Sequence, residues 1–581
     1  MDLVIRDATV VDGTGNRPFR ADVGIAAGRI ARIGRVPERG GQEIDATGHI
    51  VTPGFIDVHT HLDAQMHWDP LGTCSSWHGV TTVVMGNCGF TLAPSRSTER
   101  ELIVRNLERA EDISGAAMAE GIAWSWETFP EYLDAIDRLP MGINYAANIG
   151  HSALRTWVMG EEAFERQSSE DEIRVMEHAV REALEAGAIG FTTSFNPSHE
   201  TSDDRPVASR IASWDEVRRL VRTMKDAGVG IFELSKHREA GSPDVDVRRA
   251  CLDQMKALAV ETGVPMAFGL VATEGWEDQL AMLEDTFARG GRMYGQSHSR
   301  GVNVLMSFRT HLPFDSLEEW RPVRSQSFAE QRRLLSDLEV RQRLVHAAHH
   351  GKYPRVVGAE ARKPDWKEVR IHDGPFPPYP LVADVARQRG VDPVDLMIDL
   401  ALENDFDQFF IQSAIPGQEQ NEADVLAILR HPHTVMSFSD TGAHVTQIAD
   451  FSIQTHLLAY WARERSMIPI ERAVQMVTGM PAAAWGLHDR GMLLEGMAAD
   501  LNVIDLERLT PNKLEVRHDL PGGGKRLVQG ATGYAATIVG GSILMRNGEP
   551  TGALPGRLLR NSLTRSAGES ARPALTRSKR I

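Results

Sequence analysis

The chain has 581 residues, of which 42% are hydrophobic and 24% are charged, a composition typical of globular proteins. This length suffices for one large domain and a smaller one. The formal net charge of -16 argues against nucleic acid or an anionic membrane as the main partner, because both select basic surfaces.

Only three cysteines occur, which fits a reducing compartment and no disulfide framework: Cys74, Cys88 and Cys251. The N-terminus, Asp2 followed by strand-like Leu3 to Ile5, does not resemble a signal peptide, and no apolar run reaches membrane-spanning length. A cytoplasmic enzyme is therefore expected.

Residues 1–52 consist of short apolar runs separated by glycines, which predicts short strands rather than helices. From residue 53 to 480, apolar strand-like runs alternate with helical segments, which is typical of parallel βα units. Eight strands are predicted, at 55–61, 81–88, 143–150, 188–194, 228–235, 264–271, 292–298 and 434–440. Eight such repeats predict an α/β fold of the (β/α)8 TIM-barrel type, with its chemistry at the C-terminal strand ends. Two of the helices are predicted at Glu170 to Ala186 and Trp214 to Ala227, each ending before a glycine.

A long insertion at 299–432 separates the seventh and eighth strands, and we interpret it as a cap over the barrel. After the eighth strand, helices are expected at Thr446 to Glu464 and near Ile470 to Thr478. Residues 481–560 return to the short-strand pattern of residues 1–52, so the two ends are predicted to form one small β domain. Residues 561–581 are rich in Ser, Arg and Lys and are predicted to be a mobile tail.

Two histidines one residue apart follow the apolar strand that begins at Pro53 and Gly54. Because alternate residues of a strand point the same way, His59 and His61 share a face at its C-terminal end. Two imidazoles with this spacing can bind one divalent cation such as Zn²⁺. A pair of surface histidines is the alternative, and the apolar strand favours the metal site.

Asp440 ends the last predicted barrel strand. In a closed barrel the first and last strands are neighbours, so Asp440 can approach His59 and His61. A carboxylate there can ligate a metal ion and accept a proton from a water molecule that the ion activates, which makes Asp440 the candidate general base. An aspartate that caps the following helix is the alternative.

Further polar residues follow other predicted strands. Cys88 ends the second strand and is either a thiolate metal ligand or a small buried residue in a glycine turn. His151 follows the third strand and is a candidate donor to a substrate carbonyl, or else a structural histidine. His444 lies one turn beyond Asp440 and is a candidate substrate contact. Single histidines also lie near other strand ends: His199, His237 and His298.

These residues belong to recognisable motifs. The stretch Thr52 to Asp63 resembles the first-strand signature of the amidohydrolase superfamily, and Gly491 to Asp500 resembles the return of that superfamily to its β-sandwich domain. Three further motifs resemble the D-aminoacylase (N-acyl-D-amino-acid deacylase) branch: Gly79 to Gly89, Gly150 to Arg155 and Ser439 to His444.

The resemblance implies a metal-dependent (β/α)8 barrel with a β-sandwich built from both chain termini. It implies that His59, His61, Cys88 and Asp440 are metal ligands and that Asp440 is also the general base. The implied reaction is hydrolysis of a linear amide C–N bond, with deacylation of N-acyl-D-amino acids or similar small amides as the expected activity and Zn²⁺ as the cofactor.

The chain departs from the D-aminoacylase pattern at the second metal, for which that branch supplies one histidine from each of the fifth and sixth strands. Here His237 lies near the expected position in the fifth strand, and a slip of one residue would turn it to the other face. The sixth strand, Val264 to Ala272, contains no histidine. We therefore expect one Zn²⁺ per chain, with His237 as a candidate ligand of any second, weaker site.

Three basic residues are candidates to pair with a substrate carboxylate: Arg155, Lys236 and Arg300. A cyclic-amide, lactam or carbamate hydrolase using the same site is an alternative function, and so is a non-catalytic barrel that serves binding. A homo-oligomer is compatible with either the β domain or the insertion.

Overall fold

The computed structural model describes residues 1–414 and 421–564 of the chain, and its fold is a mixed α/β fold. The predicted tail therefore lies outside the described residues, except for residues 561–564. No helix in the described ranges has the length and apolar character needed to cross a membrane.

One nine-stranded sheet contains strands from both ends of the chain. Its strands are Leu3–Val10, Phe19–Ala26, Arg29–Gly34, Gln42–Asp45, Ile50–Pro53, Leu501–Ile504, Tyr534–Val539, Ser542–Arg546 and Glu549–Pro550. Strand Ile50–Pro53 runs parallel to Leu3–Val10 and antiparallel to Leu501–Ile504, so it joins the first strands of the chain to the last ones. Buried aliphatic side chains from both ends pack in one core under this sheet.

A second set of strands is parallel throughout. In chain order they are Phe55–Asp57, Val80–Met85, Asn144–Ala147 with its continuation Ile149–Gly150, Gly190–Thr193, Ile231–Leu234, Met266–Gly269, Met293–Ser297 and Thr434–Met436. Each strand pairs with the one that precedes it in this order. An isolated parallel bridge between Thr60 and Thr441 joins the segment after the first strand to the segment after the last.

Helices connect these parallel strands. Their bounds are Arg100–Glu108, Gly115–Gly121, Phe129–Ile136, His151–Met159, Glu170–Ala186, Trp214–Ala227, Val245–Thr262, Trp276–Ala288 and Glu422–Arg430. The predicted bounds of Glu170–Ala186 and Trp214–Ala227 are confirmed, because Ser169 and Ser213 cap the N-termini and left-handed Gly187 and Gly228 end the helices.

The segment 299–432 has its own small core. Strands Asn303–Ser307, Arg370–His372 and Phe409–Ser413 form an antiparallel sheet. Around it lie the helices Arg321–Arg324, Phe328–Ser336, Leu338–His350, Val382–Arg389 and Pro393–Glu403. A separate cluster of buried side chains, which includes Trp320 and Phe410, fills the space between them.

The helix predicted to start at Thr446 begins later. A 3-10 turn at Asp450–Ser452 leads into Ile453–His456, which continues as a π-helix at Leu457–Glu464. Residues 446–449 are not helical, since the amide and hydroxyl of Thr446 both bond to a carboxylate oxygen of Asp112. The helices Ile470–Val477 and Gly479–Ala484 complete the return to the terminal sheet.

Candidate metal centre

Backbone hydrogen bonds hold the first and last parallel strands together at the candidate site. The amide of His61 donates to the carbonyl of Thr441 over 2.7 Å, and the amide of Asp440 donates to the carbonyl of His59 over 3.2 Å. Cys88 follows the second strand, and both Cys88 and Asp440 have a positive φ, 56° and 51° respectively. Such backbone strain in non-glycine residues is concentrated at functional sites.

Four side chains predicted to bind metal meet at this point. His59 Nε2 lies 3.2 Å from Asp440 Oδ1 and 3.4 Å from Cys88 Sγ. His61 Nε2 lies 3.6 Å from the same Asp440 oxygen. A tetrahedral Zn²⁺ with N, O and S ligands places its ligand atoms about 3.3–3.8 Å apart, so these separations match such an ion.

The hydrogen bonding of the four side chains also fits a cation. Both ring nitrogens of His61 and Asp440 Oδ1 are buried and have no hydrogen-bond partner. Burial lowers the pKa of His61 to about 3, so its ring is neutral at pH 7 and presents lone pairs. Buried polar atoms are nearly always paired in folded proteins, and a divalent cation bound here would supply the missing partner.

Two glutamates that sequence analysis missed lie beside this group. Glu233, from the fifth strand, accepts a hydrogen bond from the amide of Cys88 over 3.0 Å and places its other oxygen 3.6 Å from His59 Nδ1. Gln296, from the seventh strand, lies 3.4 Å from the same nitrogen. Such partners hold a metal-binding imidazole with Nε2 toward the metal. Glu111 lies opposite, 3.7 Å from His61 Nε2.

The carboxyl groups of Asp63, Glu111, Glu233 and Asp440 lie close together in this part of the protein. Burial raises the pKa of Glu233 and of Asp63 to about 7, and burial together with the charge of Asp440 raises that of Glu111 well above its usual value. Burial also raises the pKa of Asp440, but the adjacent imidazole of His59 outweighs this effect and holds that pKa below its usual range. A bound cation would relieve the repulsion among these groups.

His237 does not lie with this group, so its prediction as a ligand of a second, weaker metal site is corrected. Its ring packs edge-on against Phe195 and Trp214, and its Nδ1 lies 3.0 Å from Cys251 Sγ. The residue of the fifth strand that reaches the site is Glu233, because its side chain and not that of His237 points toward His59.

The predictions of His151 as a donor to a substrate carbonyl and of Arg155 as a partner of a substrate carboxylate are also corrected, because neither side chain is available to a substrate. The two ring nitrogens of His151 lie 2.8 Å from Thr193 Oγ1 and 2.8 Å from Glu216 Oε1. Arg155 is fully buried and donates to both oxygens of Glu216. The three side chains form an internal network instead of a substrate contact.

The remaining candidates differ in availability. Arg300 is committed to Asp450 and to the carbonyl of Ala449, so it is not free to pair with a ligand. Lys236 is exposed and forms no ion pair within the described ranges. The surrounding protein partly desolvates its ammonium group, which lowers its pKa. His444 Nε2 lies 3.6 Å from Glu111 Oε2, at the edge of the candidate metal centre.

The chain is similar to known proteins in sequence and in structure. A family model described as the amidohydrolase family matches residues 42–545. The D-aminoacylase of Alcaligenes xylosoxydans xylosoxydans is 28% identical over 520 residues, which cover 87% of this chain and 88% of that protein.

Two solved structures are similar to this fold. A structure from a study of the binuclear metal centre of D-aminoacylase matches with a TM-score of 0.64 at 24% identity, covering 96% of this chain and 99% of that one. The N-acyl-D-glutamate deacylase of Bordetella bronchiseptica, complexed with zinc and a phosphonate inhibitor, matches with a TM-score of 0.62 at 23% identity, with the same coverage. The resemblance stated from the sequence motifs is thereby confirmed.

Proposed function

The chain belongs to the amidohydrolase family and is a hydrolase acting on C–N bonds, and we propose that it cleaves the amide bond of N-acyl-D-amino acids or similar small linear amides. The observation that carries this proposal is the meeting of His59, His61, Cys88 and Asp440 at one point. The similarity to D-aminoacylase along most of both chains supports the choice of substrate class.

We propose that residues 53–480 form a (β/α)8 barrel with 299–432 as its cap, and that 1–52 and 481–560 form a β-sandwich domain. The sequential pairing of the parallel strands and the bridge between Thr60 and Thr441 support a closed barrel. The sheet shared by both chain ends supports the second domain.

A Zn²⁺ ion held by His59, His61, Cys88 and Asp440 would polarise the scissile carbonyl and lower the pKa of the attacking water. Asp440 is the residue that moves the proton. Its side chain is 17% exposed, whereas those of His59 and His61 are essentially buried, so it alone of these three reaches a space open to water. Oδ1 faces the two histidines, which leaves Oδ2 to accept a proton from water and to deliver it to the leaving amine.

The substrate carboxylate requires a cation near the scissile bond, and Lys236 meets this need best. Lys236 lies two residues after Leu234, the last residue of the fifth strand, and therefore at the same strand end as the candidate metal centre. Arg155 and Arg300 already pair with Glu216 and Asp450. An ammonium group at this position can bind the carboxylate of an amino acid.

We also propose a cytoplasmic location. All three cysteines are free thiols in the structure, and each of them is buried. Proteins of oxidising compartments commonly use such residues in disulfides.

The first test is hydrolysis of N-acetyl-D-amino acids, their L-enantiomers and cyclic amides by the Zn²⁺-loaded protein and by Asp440→Asn. We expect activity on the D-series and a fall of about 10²–10⁴-fold in kcat/KM for Asp440→Asn, because the general base is lost. Asp204→Asn is the matched control, since Asp204 is an exposed aspartate that also has a positive φ, 63°. It should retain wild-type activity.

Preference for cyclic amides would replace the proposed substrate class while keeping the site. A wild-type protein that binds no Zn²⁺ and hydrolyses none of these compounds would overturn the proposal, as would full activity in Asp440→Asn.

A further inference from the structure

His298 is a buried histidine just after the seventh parallel strand, and the mechanism described above does not use it. Both of its ring nitrogens are buried, and neither has a hydrogen-bond partner among the described residues. Buried polar atoms of this kind are nearly always paired in folded proteins. We propose that His298 is a substrate-binding residue whose Nε2 accepts a hydrogen bond from the N–H of the scissile amide. This inference rests on the proposed function and adds a selectivity for amides over esters.

The alternation of side chains along the seventh strand turns His298 toward the candidate metal centre. Gln296 lies two residues earlier, and its Oε1 is 3.4 Å from His59 Nδ1. The next residue, Ser299, is turned elsewhere, because its hydroxyl donates to the carbonyl of Ile453 over 2.9 Å. Since alternate residues of an extended segment point the same way, His298 faces the side on which Gln296 reaches His59.

The ring of Phe438 separates His298 from His59. The centroid of the Phe438 ring lies 4.9 Å from that of His298, in an edge-on arrangement, and 3.7 Å from that of His59. His298 therefore lies beside the proposed metal ligands and is not one of them. A side chain in this position can contact a substrate that the metal centre holds without taking a coordination position of the ion.

Asp450 orients the ring of His298. Asp450 Oδ2 lies 3.7 Å from His298 Nδ1 and is itself buried without a hydrogen-bond partner among the described residues. The other carboxylate oxygen, Oδ1, accepts a hydrogen bond from Arg300 Nε over 3.1 Å, which holds the carboxylate in place. Arg300 is therefore a positioning residue that acts through Asp450, instead of the predicted partner of a substrate carboxylate.

The same carboxylate determines which ring nitrogen of His298 carries the proton. Burial lowers the pKa of His298 and outweighs the opposing charges of Asp450 and Asp440, so the ring is neutral at pH 7. A neutral imidazole has one N–H and one lone pair, and a neighbouring carboxylate favours the proton on the nitrogen that faces it, here Nδ1. Nε2 then carries the lone pair and is a hydrogen-bond acceptor.

An acceptor in this position fits the proposed substrate class. Apart from its side chain, an N-acyl-D-amino acid has one hydrogen-bond donor at pH 7, the amide N–H, because its carbonyl and carboxylate oxygens only accept. An ester of the same shape has no such donor. A site built to bond an N–H leaves its acceptor unpaired when the ester binds, and this loss discriminates against the ester.

The test compares two substrates that differ in this donor. They are the N-acetyl-D-amino acid that the Zn²⁺-loaded wild type cleaves fastest and the O-acetyl-D-2-hydroxy acid with the same side chain. His298→Ala should lower kcat/KM for the amide by about tenfold and leave kcat/KM for the ester within about twofold, because only the amide loses a hydrogen bond. The ratio of the two constants does not depend on the folded fraction, so a poorly folding variant remains informative.

Asp450→Asn tests the orientation of the proton. The side-chain amide of asparagine can donate to His298 Nδ1, which moves the proton to Nε2 and turns the acceptor into a donor. The amide-to-ester ratio should fall as it does in His298→Ala. His237→Ala is the matched control, because it removes another buried histidine near a strand end, packed against Phe195 and Trp214, and it should keep the wild-type ratio.

A crystal structure of Asp440→Asn with the amide substrate bound gives a direct readout, since it keeps His298 unchanged. The amide nitrogen should lie within about 3.2 Å of His298 Nε2. Equal losses on amide and ester in His298→Ala would overturn the inference and leave the proposed function standing, because the ring would then support the fold or bind a buried water molecule. A wild type that cleaves no N-acyl-D-amino acid would overturn both.

Discussion

At the scale of single residues, the network of His151, Arg155 and Glu216 is internal support for the strand ends. Glu216 accepts from Arg155 Nη1 over 2.7 and 2.6 Å and from His151 Nε2 over 2.8 Å. Burial raises the pKa of Glu216, but the hydrogen bond of His151 and the charges of His151 and Arg155 outweigh it and lower that pKa to about 2. Removing one partner would leave a buried charge unpaired.

Glu216→Gln should therefore lower the free energy of unfolding at pH 7 by about 3–5 kcal/mol. The folded pKa of Glu216 lies below its unfolded value, so its contribution is present above about pH 4.5 and is lost as the pH falls toward 2. The difference between wild type and variant in urea denaturation should accordingly shrink over that range.

Glu177→Gln is the control for this measurement, because Glu177 also pairs with an arginine, Arg219, but at a partly exposed position. It should change the free energy of unfolding by less than about 1 kcal/mol. Equal destabilisation of Glu216→Gln at pH 3 and pH 7 would contradict the assignment of the charge.

The candidate site residues that could be predicted from the sequence are those that follow a predicted strand. His59, His61, Cys88 and Asp440 each follow an apolar run, so their common edge followed from the strand order. Glu111 and Glu233 do not directly follow a predicted strand, so the sequence did not single them out. Glu111 lies in a loop whose path depends on a contact with His444, and Glu233 lies inside a strand, where only the actual register shows which face it occupies.

At the scale of elements, the turn after the eighth parallel strand is shaped by Gly442. Its φ of 98° and its closeness to the first strand leave no room for a side chain, since a Cβ there would lie 2.3 Å from the carbonyl oxygen of His61. The turn thereby sets the spacing between Asp440 and His61.

Gly442→Ala should weaken Zn²⁺ binding by about 10–100-fold, the range found when a group supporting a metal ligand is displaced. Competition titration against a chromogenic chelator measures this affinity. Gly496→Ala is the matched control, because Gly496 has a similar φ of 91° with no atom within 4 Å of the added Cβ. Wild-type metal affinity in Gly442→Ala would contradict a role of this turn in positioning the proposed ligands.

Element positions were predicted well where local signals were strong. Helix Glu170–Ala186 has its serine cap and its terminal glycine in the sequence, and both bounds were correct. The helix expected from Thr446 begins later because a tertiary contact with Asp112 holds its first residues, and no local pattern encodes that contact.

At the scale of the whole molecule, Asp500 joins the terminal sheet to the parallel strands. Its carboxylate accepts from Arg490 Nη1 over 2.5 Å, from Asn144 Nδ2 over 3.1 Å and from the amide of Gly540 over 2.7 Å. Its carbonyl also accepts from the amide of Gly54. Asn144 and Gly54 among these donors come from distant parts of the chain.

Asp500→Asn should lower the free energy of unfolding by up to about 3–5 kcal/mol, because buried Arg490 would keep only its ion pair with the more exposed Asp489. Chemical denaturation followed by tryptophan fluorescence and by circular dichroism measures this loss. Asp519→Asn is the control, since its carboxylate pairs with Arg526 at a position that is 40% exposed, and its effect should be smaller. Equal effects of the two variants would contradict a joining role for Asp500.

The sheet shared by both termini has a consequence for how the protein is made. Strand Ile50–Pro53 leaves the ribosome early, yet its antiparallel partner Leu501–Ile504 is translated near the end. His59 and His61 likewise precede Asp440 by most of the synthesis time. Until then the nascent chain carries an open sheet edge, which is prone to aggregation, and lacks one of the proposed metal ligands. A chain that stops short of these residues would lack both the closing strand and Asp440, the last of the proposed metal ligands.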